Sequence, residues 1–214
     1  LRSWKGDETG WPEQALTQGP VRISGAVQTG ASWHAVRDRL GWTTVVLVGR
    51  PAKALETSDV DAVVRACADR CFDPLRTARA LWHRFGLWMD EAEVGVLRIG
   101  PHGRLVELLN VSLPAIIHWD PAVGALPFEP LGAQHLIAEH GPVSEMVRLE
   151  PGALLLATTR GVLPHDAGWA ELNGFVSSLS LDLYGGQLAD VAPAELARLL
   201  ETSWAPRSGP RAIV

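Results

Sequence analysis

The sequence predicts an α+β sandwich in which antiparallel sheets pack together with helices outside. Three observations lead there. Residues 21–48 alternate apolar with polar side chains or run β-branched, as strands do. Residues 58–85 switch to helical spacing. From residue 93 onward short strand-like segments return, and a helical segment comes late in the chain.

Taken in order, residues 1–19 are rich in Gly, Pro and polar groups around Trp4 and Trp11. They read as a lead-in or linker holding at most one helical turn, so the domain is expected over residues 20–214. Residues 21–28 form a half-buried strand, and residues 32–36 and 43–48 form two more, joined as a hairpin around residues 37–41. The run Thr44-Val45-Val46-Leu47-Val48 has the profile of a central core strand.

Ser58 is placed to cap the first helix, with Asp59 and Asp61 in its first turn. Val60, Val63, Val64, Cys67 and Cys71 then make one apolar stripe. Asp73-Pro74 restarts the pattern as cap and first helical residue, with Leu75, Ala78, Trp82 and Phe85 facing inward. Two such helices suit one face of a sheet.

Residues 93–99 and 105–110 read as a hairpin turning at Pro101-His102-Gly103, and residues 115–119 as a strand ending in a turn at 120–124. A loop over 131–141, a strand over 143–149 and a buried strand over 153–159 follow. Between the last two, Pro151-Gly152 suits a type II turn. Short helical patterns cover 169–176 and 193–204, and residues 212–214 begin a last strand.

A chain of 214 residues supports one well-buried core. With 47% hydrophobic and 20% charged residues it is not of disordered composition. A net charge of −5 gives nucleic acid and anionic membrane no long-range attraction, so neither is an expected partner. No apolar run has the length of a bilayer span. Cys67 and Cys71, four apart on a helix, suit a core face in a reducing compartment. Beginning at Leu1 without a leader pattern, the chain is expected to be part of a longer cytoplasmic protein. Nine tryptophans are many for this length, and exposed ones would mark a partner surface.

Several chemistries are not indicated. The seven histidines form no His-x-His or His-Glu-x-x-His pair for zinc. There is no Gly-x-Ser-x-Gly elbow, and Gly49-Arg50-Pro51-Ala52-Lys53 lacks the second Gly and the Lys-Ser/Thr of a phosphate loop. Glu91 with Glu93, and Asp59 with Asp61, have spacings common on solvated surfaces and are given no catalytic role.

The segment Leu149-Glu150-Pro151-Gly152, then Leu154-Leu155-Leu156, then Thr158-Thr159-Arg160-Gly161 resembles the late strand of SpoIIE-type metal-dependent protein phosphatases. That family, type 2C-like, reads Leu-Glu-Pro-Gly-Asp and then Thr-Asp-Gly here. Four further segments resemble it in the same order: Gly30-Ala31-Ser32-Trp33-His34-Ala35-Val36, Val46-Leu47-Val48-Gly49-Arg50, Leu109-Asn110-Val111-Ser112-Leu113-Pro114 and Pro130-Leu131-Gly132. Ser208-Gly209-Pro210-Arg211-Ala212 lies where the family has an Asp-Asp pair before its last strand. The resemblance implies a layered α-β-β-α sandwich, Mg²⁺ or Mn²⁺ held by aspartates, and phosphoserine or phosphothreonine substrates.

The acids are missing at each position. On that resemblance Ser32 stands at the first metal aspartate, Arg50 at the second, Arg160 at the third, and Gly209 and Pro210 at the terminal pair. Hard divalent cations need anionic oxygen ligands. A guanidinium a few Å away repels such a cation by several kcal/mol even at an effective dielectric of about 20, and arginine keeps its proton. The expectation is therefore a pseudophosphatase that holds no metal. Arg50 and Arg160 could together hold a phosphoryl or carboxylate group, or each could pair internally with an acid such as Asp38 or Asp166. Expected partners are proteins, of the anti-sigma factor or antagonist kind, or a second copy in a homodimer. The alternative is an active phosphatase acting on a phosphorylated anti-sigma-factor antagonist.

Overall fold

The computed structural model describes residues 2–5, 13–27, 31–49, 57–85, 92–120, 122–132, 135–136, 144–159, 174, 195 and 212–213. Five strands come first: β1 (Arg2–Lys5), β2 (Glu13–Gln18), β3 (Val21–Val27), β4 (Ala31–Arg37) and β5 (Thr43–Gly49). Helices α1 (Thr57–Asp69) and α2 (Pro74–Phe85) follow. The remaining strands are β6 (Glu93–Ile99), β7 (Leu105–Asn110), β8 (Ala115–Asp120), β9 (Gly124–Phe128), β10 (Glu145–Arg148), β11 (Leu154–Thr158) and β12 (Ala212–Ile213).

Among the described residues they make two six-stranded sheets, one in the order β1-β4-β5-β6-β7-β10 and the other β2-β3-β12-β11-β8-β9. Every pairing is antiparallel. In β5 all seven residues are buried, because both faces of the first sheet are covered. Val45 and Leu47 join Trp33, Leu97, Val106, Ile116 and Ala157 in the core between the sheets. Val46 and Val48 turn the other way, to Val60, Val64, Ala78 and Leu81 of the helices. A one-residue slip of β5 would exchange these two sets, so side-chain alternation pins the register.

The helices end as their residues dictate. The Asp73 side chain accepts from the Arg76 amide at 2.8 Å and caps α2. At the end of α1 the Cys71 amide donates to the Ala68 carbonyl and the Phe72 amide to the Cys67 carbonyl, the paired bonds of a Schellman motif. Cys71 occupies its left-handed position, φ 55°, where glycine is usual. The apolar stripe expected through Cys71 therefore stops at Cys67, and the helix ends two residues before Cys71.

Other expectations are corrected too. Residues 1–19 are no mere lead-in: β1 pairs with β4 and β2 with β3, at the edge of each sheet. Both strands are short, and edge strands need little apolar alternation, so their pattern was weak. The strand β9, with Pro127 inside it, was not expected; it too is an edge strand, where proline is tolerated. Of the strand expected over 143–149, Glu145–Arg148 is strand and residues 144 and 149 are not, while 143 lies outside the described residues. The helical patterns at 169–176 and 193–204 lie outside the described residues, except that Gly174 and Glu195 are helical.

Candidate functional site

Several strand ends meet at one end of the sandwich. Across the first sheet the register sets Ala31, Gly49 and Glu93 in one row, at the start of β4, the end of β5 and the start of β6. In the second sheet Thr158 of β11 faces Ile213 of β12, and Ala212 faces Val27, the last residue of β3. The sheets touch here. A β-carbon on Gly49 would lie 2.7 Å from the Thr159 Cγ2 and 2.7 Å from a Glu93 carboxylate oxygen. Only a hydrogen fits at Gly49 without displacing one of them.

Glu93 is the residue that sequence reasoning missed. It looked like part of a surface acidic pair, yet Leu97 and Ile99, two and three positions along the same alternation, face the other sheet. In Glu-Val-Gly-Val-Leu-Arg-Ile the odd-numbered residues point inward. Once β6 is aligned on β5, that parity carries the carboxylate to the row of Gly49.

Ser32 is 1% exposed and faces the helix layer, not the other sheet. Its Oγ lies 3.0 Å from His34 Nε2, and His34 Nδ1 lies 2.6 Å from Asp61 Oδ1 on α1. Arg50, Arg160, Gly209 and Pro210 lie outside the described residues. In the chain, however, Arg50 follows Gly49 and Arg160 follows Thr159, and those two neighbours are the pair in contact. Among the described residues no three His, Cys, Asp or Glu side chains gather as a metal would require.

Asp38, weighed as a partner for one of these arginines, is engaged elsewhere. It sits at the far end of β4, six residues from Ser32, about 20 Å along an extended strand. There it accepts from Arg98 at 2.9 Å and from the amides of Leu40 and Trp42. Asp166, the other acid weighed, lies outside the described residues.

Two of the segments singled out in the sequence meet in space. Asn110 closes its own turn: its amide nitrogen donates to the Leu113 and Phe128 carbonyls and its oxygen accepts from the Leu113 amide. The Leu131 amide donates to the Asn110 carbonyl at 3.0 Å and the Gly132 amide to the Val111 carbonyl at 2.8 Å. Asn110 is 3% exposed, and all these bonds are made within the chain. This turn carries the backbone from β7 in the first sheet to β8 in the second, and Leu113 fills the space a side chain at Gly95 would need. On β8, burial holds His118 below the usual histidine pKa, with Asp120 partly opposing the shift.

No protein-family model and no curated protein sequence matches the chain. Solved structures do. The RsbU and RsbW domains of Rv1364c from Mycobacterium tuberculosis align at TM-score 0.63 and 16% identity, covering 86% of this chain and 55% of that one. The PP2C phosphatase domain of SpoIIE from Bacillus subtilis, with a fragment of its regulatory domain, aligns at 0.61 and 16%, covering 98% and 63%. RsbX in complex with magnesium aligns at 0.56 and 14%, covering 94% and 90%. The chain thus spans 55% and 63% of the first two structures' own length. Two antiparallel sheets packed face to face, a helix pair on one of them and these neighbours together establish that the chain has the fold of the PP2C-type, SpoIIE-like phosphatases.

Proposed function

We propose that the chain is a regulatory binding module built on a phosphatase fold: a pseudophosphatase that engages a protein partner through the site end of the sandwich and turns over no phosphoester. The observation that carries this is the contact of Gly49 with Thr159, because arginine is the next residue after each. Those next residues, Arg50 and Arg160, carry guanidinium groups at the positions where the resemblance calls for metal-binding aspartates. They repel divalent cations and favour a planar, forked grip on a phosphoryl or carboxylate group. The Ser32 hydroxyl, at the first of the resemblance's metal positions, is bonded to His34. It supplies no anionic oxygen for a hard cation.

The partner fitting this chemistry is a phosphorylated or acidic protein, of the kind that anti-sigma factors and their antagonists represent, in a cytoplasmic signalling pathway. A second reading, active phosphatase, draws on one observation, the Glu93 carboxylate at the row of Gly49. A two-metal centre needs several carboxylates, and the other positions of the resemblance hold arginine, serine, glycine and proline.

Calorimetric titration with a phosphoserine peptide and its unphosphorylated form tests the binding reading. The intact chain is expected to bind the phosphopeptide alone, and the Arg50→Ala/Arg160→Ala double variant to lose at least about tenfold in affinity, the scale of one charged hydrogen bond removed. Equal affinity of both proteins for the phosphopeptide would refute it.

A further inference from the structure

The trio Ser32, His34 and Asp61 lies on the helix side of the first sheet, not on the face that meets the second sheet, and its geometry is that of a proton relay. Ser32 and His34 stand two apart on β4 and share a face. Asp61 comes to them from α1. An ionised carboxylate only accepts hydrogen bonds, so the 2.6 Å contact places the ring proton on His34 Nδ1. With no second proton on the ring, Nε2 offers its lone pair to the Ser32 hydroxyl, 3.0 Å away. Serine donating to imidazole, and imidazole donating to a carboxylate, is the order that activates a serine for acyl transfer whatever the fold.

We infer that Ser32 is an activated nucleophile that takes one acyl or phosphonyl group from a small, apolar, activated donor. The surroundings fit that class: Val36, Val46, Val48, Val60 and Val64 form the core on this face, and His34 is fully buried while Asp61 keeps 18% of its side chain exposed. Ser32 is 1% exposed, so reaction requires a local opening. The place for it is β1, a four-residue edge strand whose Lys5 pairs with Ser32. Fraying of such a strand uncovers the edge of β4 and leaves the bond between β4 and α1 in place.

In the step itself the Oγ–H proton passes to His34 Nε2 as Oγ bonds to the carbonyl carbon or phosphorus. The bond to the leaving group breaks with its electron pair, and the leaving group departs with the proton from Nε2. Asp61 holds the imidazolium between the two transfers.

The full chain treated with a small dialkyl fluorophosphonate tests this by intact mass and peptide mapping. Here the Ser32 Oγ–P bond forms, P–F breaks, and hydrogen fluoride leaves. One adduct on Ser32 is expected, absent in Ser32→Ala and slowed at least about 100-fold in His34→Gln and in Asp61→Asn, the scale of a lost general base. Circular dichroism checks that each variant is folded, and Asp61→Asn, nearly isosteric, decides where His34→Gln is not. No adduct on Ser32 under conditions that saturate a serine-hydrolase control would overturn the inference. So would equal rates in the intact chain and Asp61→Asn, since a purely structural tie leaves the hydroxyl inert.

Discussion

The two ends of the sandwich handle positive charge in opposite ways. At the end away from the site, Arg98 is 8% exposed and held by charged and aromatic neighbours. It bonds Asp38 at 2.9 Å, approaches Glu107 at 3.7 Å and lies over the Trp42 ring at 4.5 Å. Gln18 from the second sheet ties in as well, donating to the Gly41 and Gly100 carbonyls and accepting from the Thr43 hydroxyl. The buried Arg98 and Asp38 are matched inside the first sheet, and Gln18 ties the second sheet to it. At the other end arginine follows both Gly49 and Thr159 in the sequence, at the positions where the resemblance leads one to expect acids. A cation consumed by its own fold stabilises; the two arginines, on the function proposed, serve a ligand instead.

The sharpest way to break that contrast is to remove a cation from each end. Arg98→Met leaves the Asp38 carboxylate buried without its counter-charge and is expected to cost about 3–5 kcal/mol in urea unfolding, the cost of breaking a buried pair. Arg50→Ala and Arg160→Ala are each expected to shift stability by less than about 1 kcal/mol. Equal losses at both ends would make the site arginines structural.

A smaller effect measures how tightly the sheets close at the site end. Gly49→Ala puts a methyl against Thr159 and Glu93 and is expected to destabilise by about 1–3 kcal/mol through overpacking. Thr159→Ser removes the methyl carbon that Gly49→Ala would meet, so the double variant should recover part of the loss. Strict additivity would mean that the two residues are not in contact.

The smallest effect expected is a pH dependence. Burial lowers the His118 pKa in the folded chain, and its Nε2 has no hydrogen-bond partner. Between the lowered value and the ordinary one near 6.5 the unfolded chain binds the proton and the folded chain does not. Stability must therefore fall as pH drops below about 6.5, and level off only below the lowered folded value. Unfolding curves of His118→Gln should show a shallower slope over that window; an unchanged slope would assign it to other groups.

The strands with both faces covered were legible because alternation and β-branching leave a plain record: β5 and β6 lie close to where their residues predicted. So was the turn at Pro151-Gly152, where Gly152 has φ 84° and the Ala153 amide donates to the Glu150 carbonyl. The edge strands β1, β2 and β9 were not legible, since an edge needs pairing more than an apolar face. At the site the positions of the resemblance could be read, but Glu93 could not be recognised from composition. Its role depends on which strand β6 pairs with and in what register, a long-range fact. The Ser32–His34–Asp61 chain was equally hidden, because Asp61 lies 27 residues from His34 and meets it only when α1 packs on β4.

The central claim is tested most directly by phosphate release from a phosphoserine protein, measured with millimolar Mn²⁺ and with chelator. The account predicts no release above the uncatalysed rate in either condition, and no heat of manganese binding. Manganese-dependent turnover abolished by Glu93→Ala would contradict it, and would show that acids in this chain do assemble a metal centre at the end of the sandwich.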